Sequence, residues 1–263
     1  MRGIILAAGK GSRLNGAVGD APKCLLKVGR LTLLQRQVNA LRRAGIHDIA
    51  VVVGCQADEV RKACGQDITY VENVRYAQTN SMYSLWMARP LLYEGFVVLN
   101  CDVLFHSALL GDLLSAPEAD ALLFAPREPG APPFGDEEMK VKLRAGRVAD
   151  MSKEMHPEDA DGENVGMVKF GRDGATLLVD IMDQLVAAGG LRDWAPRAFR
   201  EFAQVRPLHA ISTRGLPWIE IDFPEDYQRA VREVLPAIES DQRGTTADTE
   251  RGCMPAIAAG DLR

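Results

Sequence analysis

The sequence predicts an α/β domain built as a Rossmann-like αβα sandwich, with helices on both faces of a mixed, mainly parallel sheet. Apolar runs alternate with amphipathic segments as far as Glu72, and this β-α-β-α-β order implies right-handed crossovers between parallel strands. The alternation stops between residues 126 and 164, which predicts a lid subdomain inserted into the sheet. We therefore expect one domain over residues 1–238 and a flexible tail over residues 239–263.

The composition of the chain argues against several classes of function. The chain has 263 residues, 47% of them hydrophobic and 25% charged, which is ordinary for a globular protein with a large core. The net charge of -5 argues against nucleic-acid binding, which requires a basic face. No apolar stretch approaches the roughly 20 residues of a membrane span, and no signal peptide is evident. Five widely spaced cysteines without a Cys-x-x-Cys argue against a zinc site, so we expect reduced thiols and a cytoplasmic protein.

The first strand and the loop after it offer a phosphate site. Residues 4–7 are apolar and bounded by glycines, which predicts a buried parallel strand. Gly9 and Gly11 allow a ligand to approach the backbone N–H groups closely. The loop matches neither known glycine motif, because Leu14 replaces the third Rossmann glycine and no Gly-Lys-Ser/Thr is present. An ordinary turn stays possible, but a triphosphate would suit the three cations Lys10, Arg13 and Lys23.

The next segments continue the alternation of strands and helices as far as Asp102, a second candidate site residue. Apolar residues at helical spacing before Gly45 predict a helix over residues 33–44, and Ser81 is a candidate N-cap for a helix over residues 82–92. Asp102 comes directly after a buried apolar strand, at the edge where open α/β sheets bind ligands, although it could instead cap a helix. The other elements expected in this part are strands over 49–54, 69–72 and 96–99 and a helix over 57–63.

The second half breaks the alternation and then returns to it. Four prolines and two glycines make residues 126–138 irregular, and a hairpin is expected around Ala145-Gly146. The tail from residue 239 lacks periodicity. The remaining predicted elements are strands over 119–125, 165–170, 205–211 and 216–222 and helices over 177–188, 195–202 and 224–234.

Two carboxylates share one face of the last predicted strand. Glu220 and Asp222 are two residues apart, so their side chains point the same way, together with Trp218. Neighbouring carboxylates on a half-buried strand are costly unless a positive group joins them. From the residues alone, a solvated edge and an arginine pairing are as acceptable as a metal site.

Two motifs connect the chain to a known family. The strand, its Gly-x-Gly-Ser-Arg-Leu loop and the Pro22-Lys23 pair resemble the signature of nucleoside-triphosphate transferases that make sugar nucleotides and CDP-alcohols. Residues 79–85 resemble an element beside the base and ribose in bacterial phosphocholine cytidylyltransferases, with Ser81 where a second Asn is usual. The resemblance covers residues 1–235 and is weak in the middle. It implies nucleotide binding by Leu6, Ala8, Gly9, Lys10, Gly11, Ser12, Arg13, Lys23, Gln78, Asn80 and Ser84.

The resemblance also implies a reaction. An acceptor phosphate or phosphonate oxygen attacks the α-phosphorus of CTP, and pyrophosphate leaves. Mg²⁺, which prefers hard oxygen ligands, would be held by Asp102, Asp222 and Glu220. The implied catalytic residues are Arg13, Lys23, Asp102 and Lys153, and the expected acceptor-binding residues are Lys140, Lys153 and Glu138.

The acidic lid favours an acceptor with a primary ammonium. Phe134 is the only aromatic residue of the lid, which offers little for an aromatic cage around choline. Carboxylates accept strong hydrogen bonds from a primary ammonium, and residues 136–141 resemble cytidylyltransferases acting on phosphonates such as 2-aminoethylphosphonate. Phosphocholine, hydroxyalkylphosphonates and phosphorylated polyols stay open as acceptors.

Two other functions stay open as well. One is a sugar-1-phosphate nucleotidyltransferase that uses UTP, dTTP or GTP. The other is a catalytically silent, nucleotide-binding regulatory domain, against which the intact set of Arg13, Lys23, Asp102 and Asp222 argues. The sequence is compatible with a homodimer but does not fix the oligomeric state.

Overall fold

The computed structural model describes residues 1–11, 14, 21–128 and 130–241. Its strands are β1 (Arg2–Ala7), β2 (Lys27–Val28), β3 (Leu31–Thr32), β4 (Ile49–Val53), β5 (Thr69–Glu72), β6 (Phe96–Asn100), β7 (Val103–Phe105), β8 (Ala121–Pro126), β9 (Lys140–Arg144), β10 (Arg147–Ser152), β11 (Gly162–Phe170), β12 (His209–Ser212) and β13 (Trp218–Glu220). Nine of them form a central sheet in the order β5-β4-β1-β6-β11-β8-β12-β10-β9. Two small ribbons, β13-β7 and β2-β3, accompany it.

The central sheet is mixed and mainly parallel, as predicted. β4, β1, β6 and β5 pair in parallel, and β8 pairs in parallel with β12. β11 and β10 run antiparallel to their neighbours, while all the other strands of this sheet share one direction. The Rossmann-like half therefore lies at the β5-β4-β1-β6 end.

Helices cover both faces of the sheet. They are α1 (Leu33–Arg43), α2 (Ala57–Cys64), α3 (Ser81–Met87), α4 (Ser107–Ser115), α5 (Arg172–Ala187), α6 (Ala195–Val205) and α7 (Pro224–Arg229). Along β1, Ile4 and Leu6 pack in the layer of α3, α5 and α6, whereas Ile5 and Ala7 pack in the layer of α1, α2 and α4. Since full burial of one such aliphatic side chain contributes roughly 1.5–3 kcal/mol, this doubly covered strand anchors the fold.

The inserted section extends the central sheet. β9 and β10 form the predicted hairpin, and its central residues Ala145 and Gly146 have φ values of 50° and 73°. Two residues of positive φ are typical of the type I′ turn that matches the twist of a hairpin. β9 also pairs with β11 and β10 with β12, so backbone hydrogen bonds join this hairpin to two other strands of the central sheet.

The helix predicted over residues 82–92 is shorter and is capped by a different residue. Asn80 is the N-cap, and its Oδ1 accepts a hydrogen bond from the Ser81 N–H at 2.8 Å. The Ser81 hydroxyl instead accepts a hydrogen bond from the Ala195 N–H at 2.8 Å. α3 ends at Met87, and the next element is a 3-10 turn over Arg89–Leu91. Pro90, which lacks a backbone N–H, explains the early end.

Other boundaries differ near the C-terminus and after β6. The sequence prediction missed α4, whose segment Ser107–Ser115 is apolar on most sides. It also placed the strand at 205–211 too early, because α6 continues to Val205. The helix that starts at Pro224 passes through a π-helical turn, Ala230–Val234, and extends to residue 241. Of the expected tail, residues 242–263 lie outside the described part of the chain. None of the helices within the described ranges is long and apolar enough to cross a membrane.

Candidate active site

A cleft of about 350 Å³ lies at the carboxyl ends of β1 and β6. From β1 the chain leads to β4 on one side, and it later returns as β6 on the other side. Such a switch point leaves a crevice where open α/β sheets bind ligands. Leu6 from β1, Ala8 and Gly9 from the loop after it, Asn100 from the end of β6 and Asp102 from the following turn line this cleft. The glycine loop after β1 and the segment that carries Asp102 after β6 therefore meet in one site.

A lysine and two aspartates form the polar centre of the cleft. The Lys23 ammonium donates a hydrogen bond to Oδ2 of Asp102 at 2.8 Å and another to Oδ1 of Asp222. Burial alone would lower the pKa of Lys23, but the negative charges of the two aspartates outweigh burial and raise it. Lys23 is therefore a permanent cation between two carboxylates.

Glu220 completes an acidic cluster. Carboxylate oxygens of Asp102, Glu220 and Asp222 lie within 4.8 Å of one another. Burial, and then the charges of Asp102 and Asp222, raise the pKa of Glu220 to about 8. Oδ1 of Asp102 is buried and has no hydrogen-bond partner among the described residues. Clustered carboxylates with an unpaired buried oxygen fit a hard divalent cation such as Mg²⁺.

The β7-β13 ribbon brings these acids together. Val103 pairs with Glu220, and the Ile221 N–H donates to the Asp102 carbonyl at 3.0 Å. Asp226 accepts hydrogen bonds from the N–H groups of Asp222 at 3.1 Å and Phe223 at 2.9 Å. Glu220 and Asp222 thus share one face, as predicted, although the strand itself is only Trp218–Glu220.

The glycine loop reaches the same cleft. Gly11 has a φ of +61°, and a Cβ there would lie 3.0 Å from the Lys23 Cβ, so a larger residue would strain this contact. Lys10 is exposed, and its ammonium lies 6.0 Å from the centre of the Tyr76 ring. Ser12 and Arg13, which were expected to bind the nucleotide, lie outside the described residues.

A second wall comes from the segment between β5 and α3. Asn80 and Ser84 line the cleft, as expected, whereas Gln78 is exposed and its neighbour Thr79 lines the cleft instead. The sequence analysis missed Asn73, which is fully buried and whose amide donates to the hydroxyls of Thr79 and Ser84, both at 3.0 Å. Asn73 therefore orients two hydroxyl groups of the wall.

Gly54 allows the two walls to approach each other. A Cβ at this position would lie 2.7 Å from the Ala8 carbonyl oxygen and 2.7 Å from the Tyr76 Cβ. Its role depends on the contact between segments that are distant in sequence, so the sequence analysis did not single it out.

The end of the cleft near the inserted section contains one of the two lysines that were expected to bind the acceptor. Lys153 lines the cleft and forms a 3.0 Å ion pair with Glu137. Lys140 is 1% exposed, and its ammonium donates to the carbonyls of Gly135 at 2.6 Å and Glu138 at 3.4 Å. The structure therefore does not support the expected acceptor role of Lys140. Its ammonium hydrogen-bonds to the lid backbone, which is a structural role.

The acidic partner on this side also differs from the expected one. Glu137 lines the cleft, while the carboxylate of Glu138 has a buried oxygen without a hydrogen-bond partner among the described residues. Burial, and then the charge of Glu138, raises the pKa of the nearby Glu163 to about 7. Glu138 thus lies near Glu163 within the lid and is not among the residues that line the cleft.

Aromatic side chains reach the cleft from outside the lid. Tyr76 and Trp194 both line it, so counting only Phe134 of the lid underestimated the aromatic surface of the site. Trp194 is 50% exposed, and its ring centre lies 5.2 Å from the Lys153 ammonium. Trp194 also lines an adjoining cavity of about 370 Å³, together with Glu137 and Lys153. The site therefore continues past Lys153.

Comparisons with known proteins identify relatives of the chain. A bifunctional IPC transferase and DIPP synthase of Rubrobacter xylanophilus is 32% identical over 238 residues, which cover 88% of this chain and 51% of that protein. A CMP-5'-(3-aminopropyl)phosphonate synthase of Streptomyces rubellomurinus is 29% identical over 245 residues, which cover 88% of this chain and 38% of that protein. The chain thus spans about half the length, or less, of these curated relatives.

A solved structure and a family definition complete the comparison. The CTP:phosphocholine cytidylyltransferase from Streptococcus pneumoniae superposes with a TM-score of 0.70 at 23% identity, over 88% of this chain and 97% of that one. This likeness confirms the predicted fold. The description of a MobA-like NTP transferase domain matches residues 3–243, nearly the whole chain. The chain therefore belongs to the family of MobA-like NTP transferase domains, in agreement with the family resemblance of its glycine loop and its Pro22-Lys23 pair.

Proposed function

We propose that the chain is a Mg²⁺-dependent cytidylyltransferase that transfers CMP from CTP to a small phosphonate or phosphate acceptor and releases pyrophosphate. The observation that carries the proposal is the cluster of Lys23, Asp102, Asp222 and Glu220 beside the glycine loop. The names of two relatives, a CMP-phosphonate synthase and a choline-phosphate cytidylyltransferase, support the reaction class.

The phosphates would lie between the glycine loop and Lys23. Backbone N–H groups of residues 9–11 would bind them, and the Lys23 ammonium would neutralise charge on the triphosphate and on the leaving pyrophosphate. Charge neutralisation is also the chemistry that Mg²⁺ supplies when Asp102, Asp222 and Glu220 hold it. Displacement at phosphorus depends mainly on alignment and electrostatics, so this chain needs no covalent intermediate. We also keep Ser12 and Arg13 as proposed nucleotide-binding residues, because they belong to the Gly-x-Gly-Ser-Arg-Leu loop that resembles the family signature.

The cytosine and ribose would lie against the wall of residues 79–84. Asn80 and Ser84 line this wall, and the buried Asn73 fixes the Ser84 hydroxyl. Amide, hydroxyl and backbone groups of this kind are suited to reading the edge of a base. The choice of CTP rests on the resemblance of residues 79–85 to phosphocholine cytidylyltransferases.

The acceptor would be a zwitterion, with an aminoalkyl phosphonate preferred to phosphocholine. In the structure the Lys153 ammonium occupies a position between the Glu137 carboxylate and the face of Trp194. A carboxylate and an aromatic face together suit any ammonium. We infer that the acceptor's own ammonium takes this position while Lys153 turns to the phosphonate.

Pyrophosphate release tests the proposal. The purified chain would be incubated with Mg²⁺, each of CTP, UTP, GTP and dTTP, and 2-aminoethylphosphonate, 3-aminopropylphosphonate, phosphocholine, a polyol phosphate or a sugar 1-phosphate. We expect the highest turnover with CTP and an aminoalkyl phosphonate, and turnover about 10²–10³-fold lower in Asp102→Ala. A preference for UTP or dTTP with a sugar phosphate would identify a sugar nucleotidyltransferase. No turnover with any pair would favour a silent nucleotide-binding domain.

The unit that carries this activity would be residues 1–238, with the lid at 126–164. The final helix extends a few residues beyond this boundary, to residue 241. A homodimer stays a proposal that sedimentation of the purified chain would test.

A further inference from the structure

Gln37 is a buried amide behind the turn that carries Asp102. It lies in α1 and is 1% exposed. Its Nε2 donates hydrogen bonds to the carbonyl of Asn100 at 2.8 Å and to the carbonyl of Val103 at 3.0 Å. These two carbonyls bracket the residue pair Cys101-Asp102. One side chain thus uses both N–H donors to clamp the segment in which Asp102 leaves β6.

The clamp acts where the sheet stops supporting the backbone. β6 pairs with β1 as far as Asn100, and β7 begins at Val103. Between them, the Cys101 N–H donates to the Leu6 carbonyl at 3.3 Å, and the Asp102 carbonyl accepts from the Ile221 N–H at 3.0 Å. Gln37 in α1 adds the two side-chain hydrogen bonds to the carbonyls of Asn100 and Val103. Asp102 is therefore held from α1 on one side and from the Asp222 segment on the other.

The chemistry of the side chain suits this position. A single uncharged nitrogen with two N–H donors is found only in the amides of Asn and Gln. A lysine or arginine could also donate twice, but its positive charge near the cluster would oppose the binding of a divalent cation. The amide also has a cost, since its Oε1 is buried without a hydrogen-bond partner among the described residues, which destabilises the folded chain.

We propose that Gln37 is a positioning residue that sets the affinity of the Asp102, Glu220 and Asp222 cluster for its divalent cation. It touches neither the substrate nor the cation, and it acts through the backbone on both sides of Asp102. Groups that orient metal ligands typically change metal affinity or activity about 10–100-fold when they are removed. The proposal rests on the proposed function only for its activity readout, because cation binding is measured without nucleotide.

A matched pair of variants in the same helix tests the proposal. Gln37→Met keeps the side-chain length and removes both donors. Gln35→Met is the control, because the Gln35 side chain accepts from the Thr32 N–H at 3.0 Å in the helix cap and does not reach the turn. Mn²⁺ affinity of the full chain would be measured by electron paramagnetic resonance, together with melting temperature and pyrophosphate release.

We expect Gln37→Met to weaken Mn²⁺ binding about 10–100-fold and to raise the Mg²⁺ concentration for half-maximal turnover in parallel. The control would lose some thermal stability and keep its Mn²⁺ affinity. Unchanged Mn²⁺ affinity in folded Gln37→Met would overturn the proposal, as would an equal loss in both variants or no Mn²⁺ binding by the wild type. If wild type and variant differ in Mn²⁺ affinity but neither releases pyrophosphate, the proposed function fails and this inference stands.

A second variant covers the case in which Gln37→Met does not fold. Gln37→Leu is somewhat smaller, offers no donor to the two carbonyls and adds no charge near the cluster. The same loss of Mn²⁺ affinity is expected. Hydrogen exchange of the backbone amides at residues 101–104 should be faster in this variant than in the control, and equal exchange together with equal affinity would overturn the clamp.

Discussion

Lys23 and Asp102 are 79 residues apart, yet the ammonium of one lies 2.8 Å from Oδ2 of the other. The first comes from the loop after β1 and the second from the turn after β6, which are neighbouring parallel strands. Because both leave the sheet at its carboxyl edge, the cation and the carboxylate meet at the switch point. The proposed reaction depends on this pair and its surroundings.

Lys23→Ala and Asp102→Ala should each lower turnover about 10²–10³-fold while leaving the fold intact, because each removes one electrostatic contact to the charged transition state. Pyrophosphate release and circular dichroism would be measured. Lys62→Ala is the control, since this exposed lysine pairs with the surface acid Glu59. Full activity in either site variant would place the reaction elsewhere.

CTP with Mg²⁺ should give the highest kcat/KM among the common nucleoside triphosphates. The reason is the wall of residues 79–84, where Asn80 and Ser84 face the cleft. Chelation with EDTA should abolish turnover, and added Mg²⁺ should restore it. Equal or better turnover with UTP or dTTP would contradict the assignment of the base.

Glu137→Gln should raise the KM for 3-aminopropylphosphonate about tenfold, because a charge-assisted hydrogen bond to the acceptor's ammonium typically contributes about 1.5–3 kcal/mol. The KM for butylphosphonate, which lacks the ammonium, should hardly change. Trp194→Leu should act in the same direction. Glu158→Gln, at an exposed lid position, is the matched control.

An equal effect of Glu137→Gln on both acceptors would mean that this carboxylate does not recognise an ammonium. A higher kcat/KM for phosphocholine than for aminoalkyl phosphonates, measured in direct competition, would show that Trp194 and Tyr76 serve a quaternary ammonium instead.

Glu163 should make stability fall as the pH rises. Burial, and then Glu138, raises its pKa from 4.5 to about 7, so the folded chain binds an extra proton between these values. Its contribution is therefore fully present below about pH 4.5 and is lost as the pH rises through about 7. Glu163→Gln should remove this dependence.

Urea denaturation of both proteins at pH 5 and pH 8 measures this effect. From pH 5 to pH 8, the free energy of unfolding of Glu163→Gln minus that of the wild type should rise by on the order of 2 kcal/mol, since each pKa unit corresponds to about 1.4 kcal/mol. A constant difference would show that Glu163 is ionised in the folded state at both pH values.

Deleting residues 242–263 should leave melting temperature and turnover nearly unchanged, because this stretch contains few large apolar residues. The cut lies after Asp241, which pairs with His106 at 3.2 Å. A deletion from residue 235 is the contrast, since Leu235 and Ile238 are buried in a core cluster and their loss should lower the melting temperature. A large effect of the shorter deletion would mean that the terminal residues contact the site or a partner.

Several features were determined by the sequence itself. The apolar run before Gly9 and the one before Asp102 predict buried parallel strands, and a residue just after the end of such a strand lies at the carboxyl edge of the sheet. Glu220 and Asp222 share a face because side chains alternate along a strand. These rules act over a few residues, so the fold class and the place of Asp102 could be predicted from short segments. The family and the joining of Asp102 with the acidic pair were implied by the resemblance.

Only the tertiary structure decided which lid residues line the cleft and which residues support it. The lid contains the consecutive acids 136–138 and two candidate lysines, and only packing turned Glu137 and Lys153 to the cleft while burying Lys140. Trp194 arrives from the start of α6, far from the lid in sequence. Gln37 and Asn73 read as ordinary polar residues until their donors are seen to meet backbone carbonyls and hydroxyls. Contacts of this kind depend on side-chain direction across distant segments, which local periodicity does not encode.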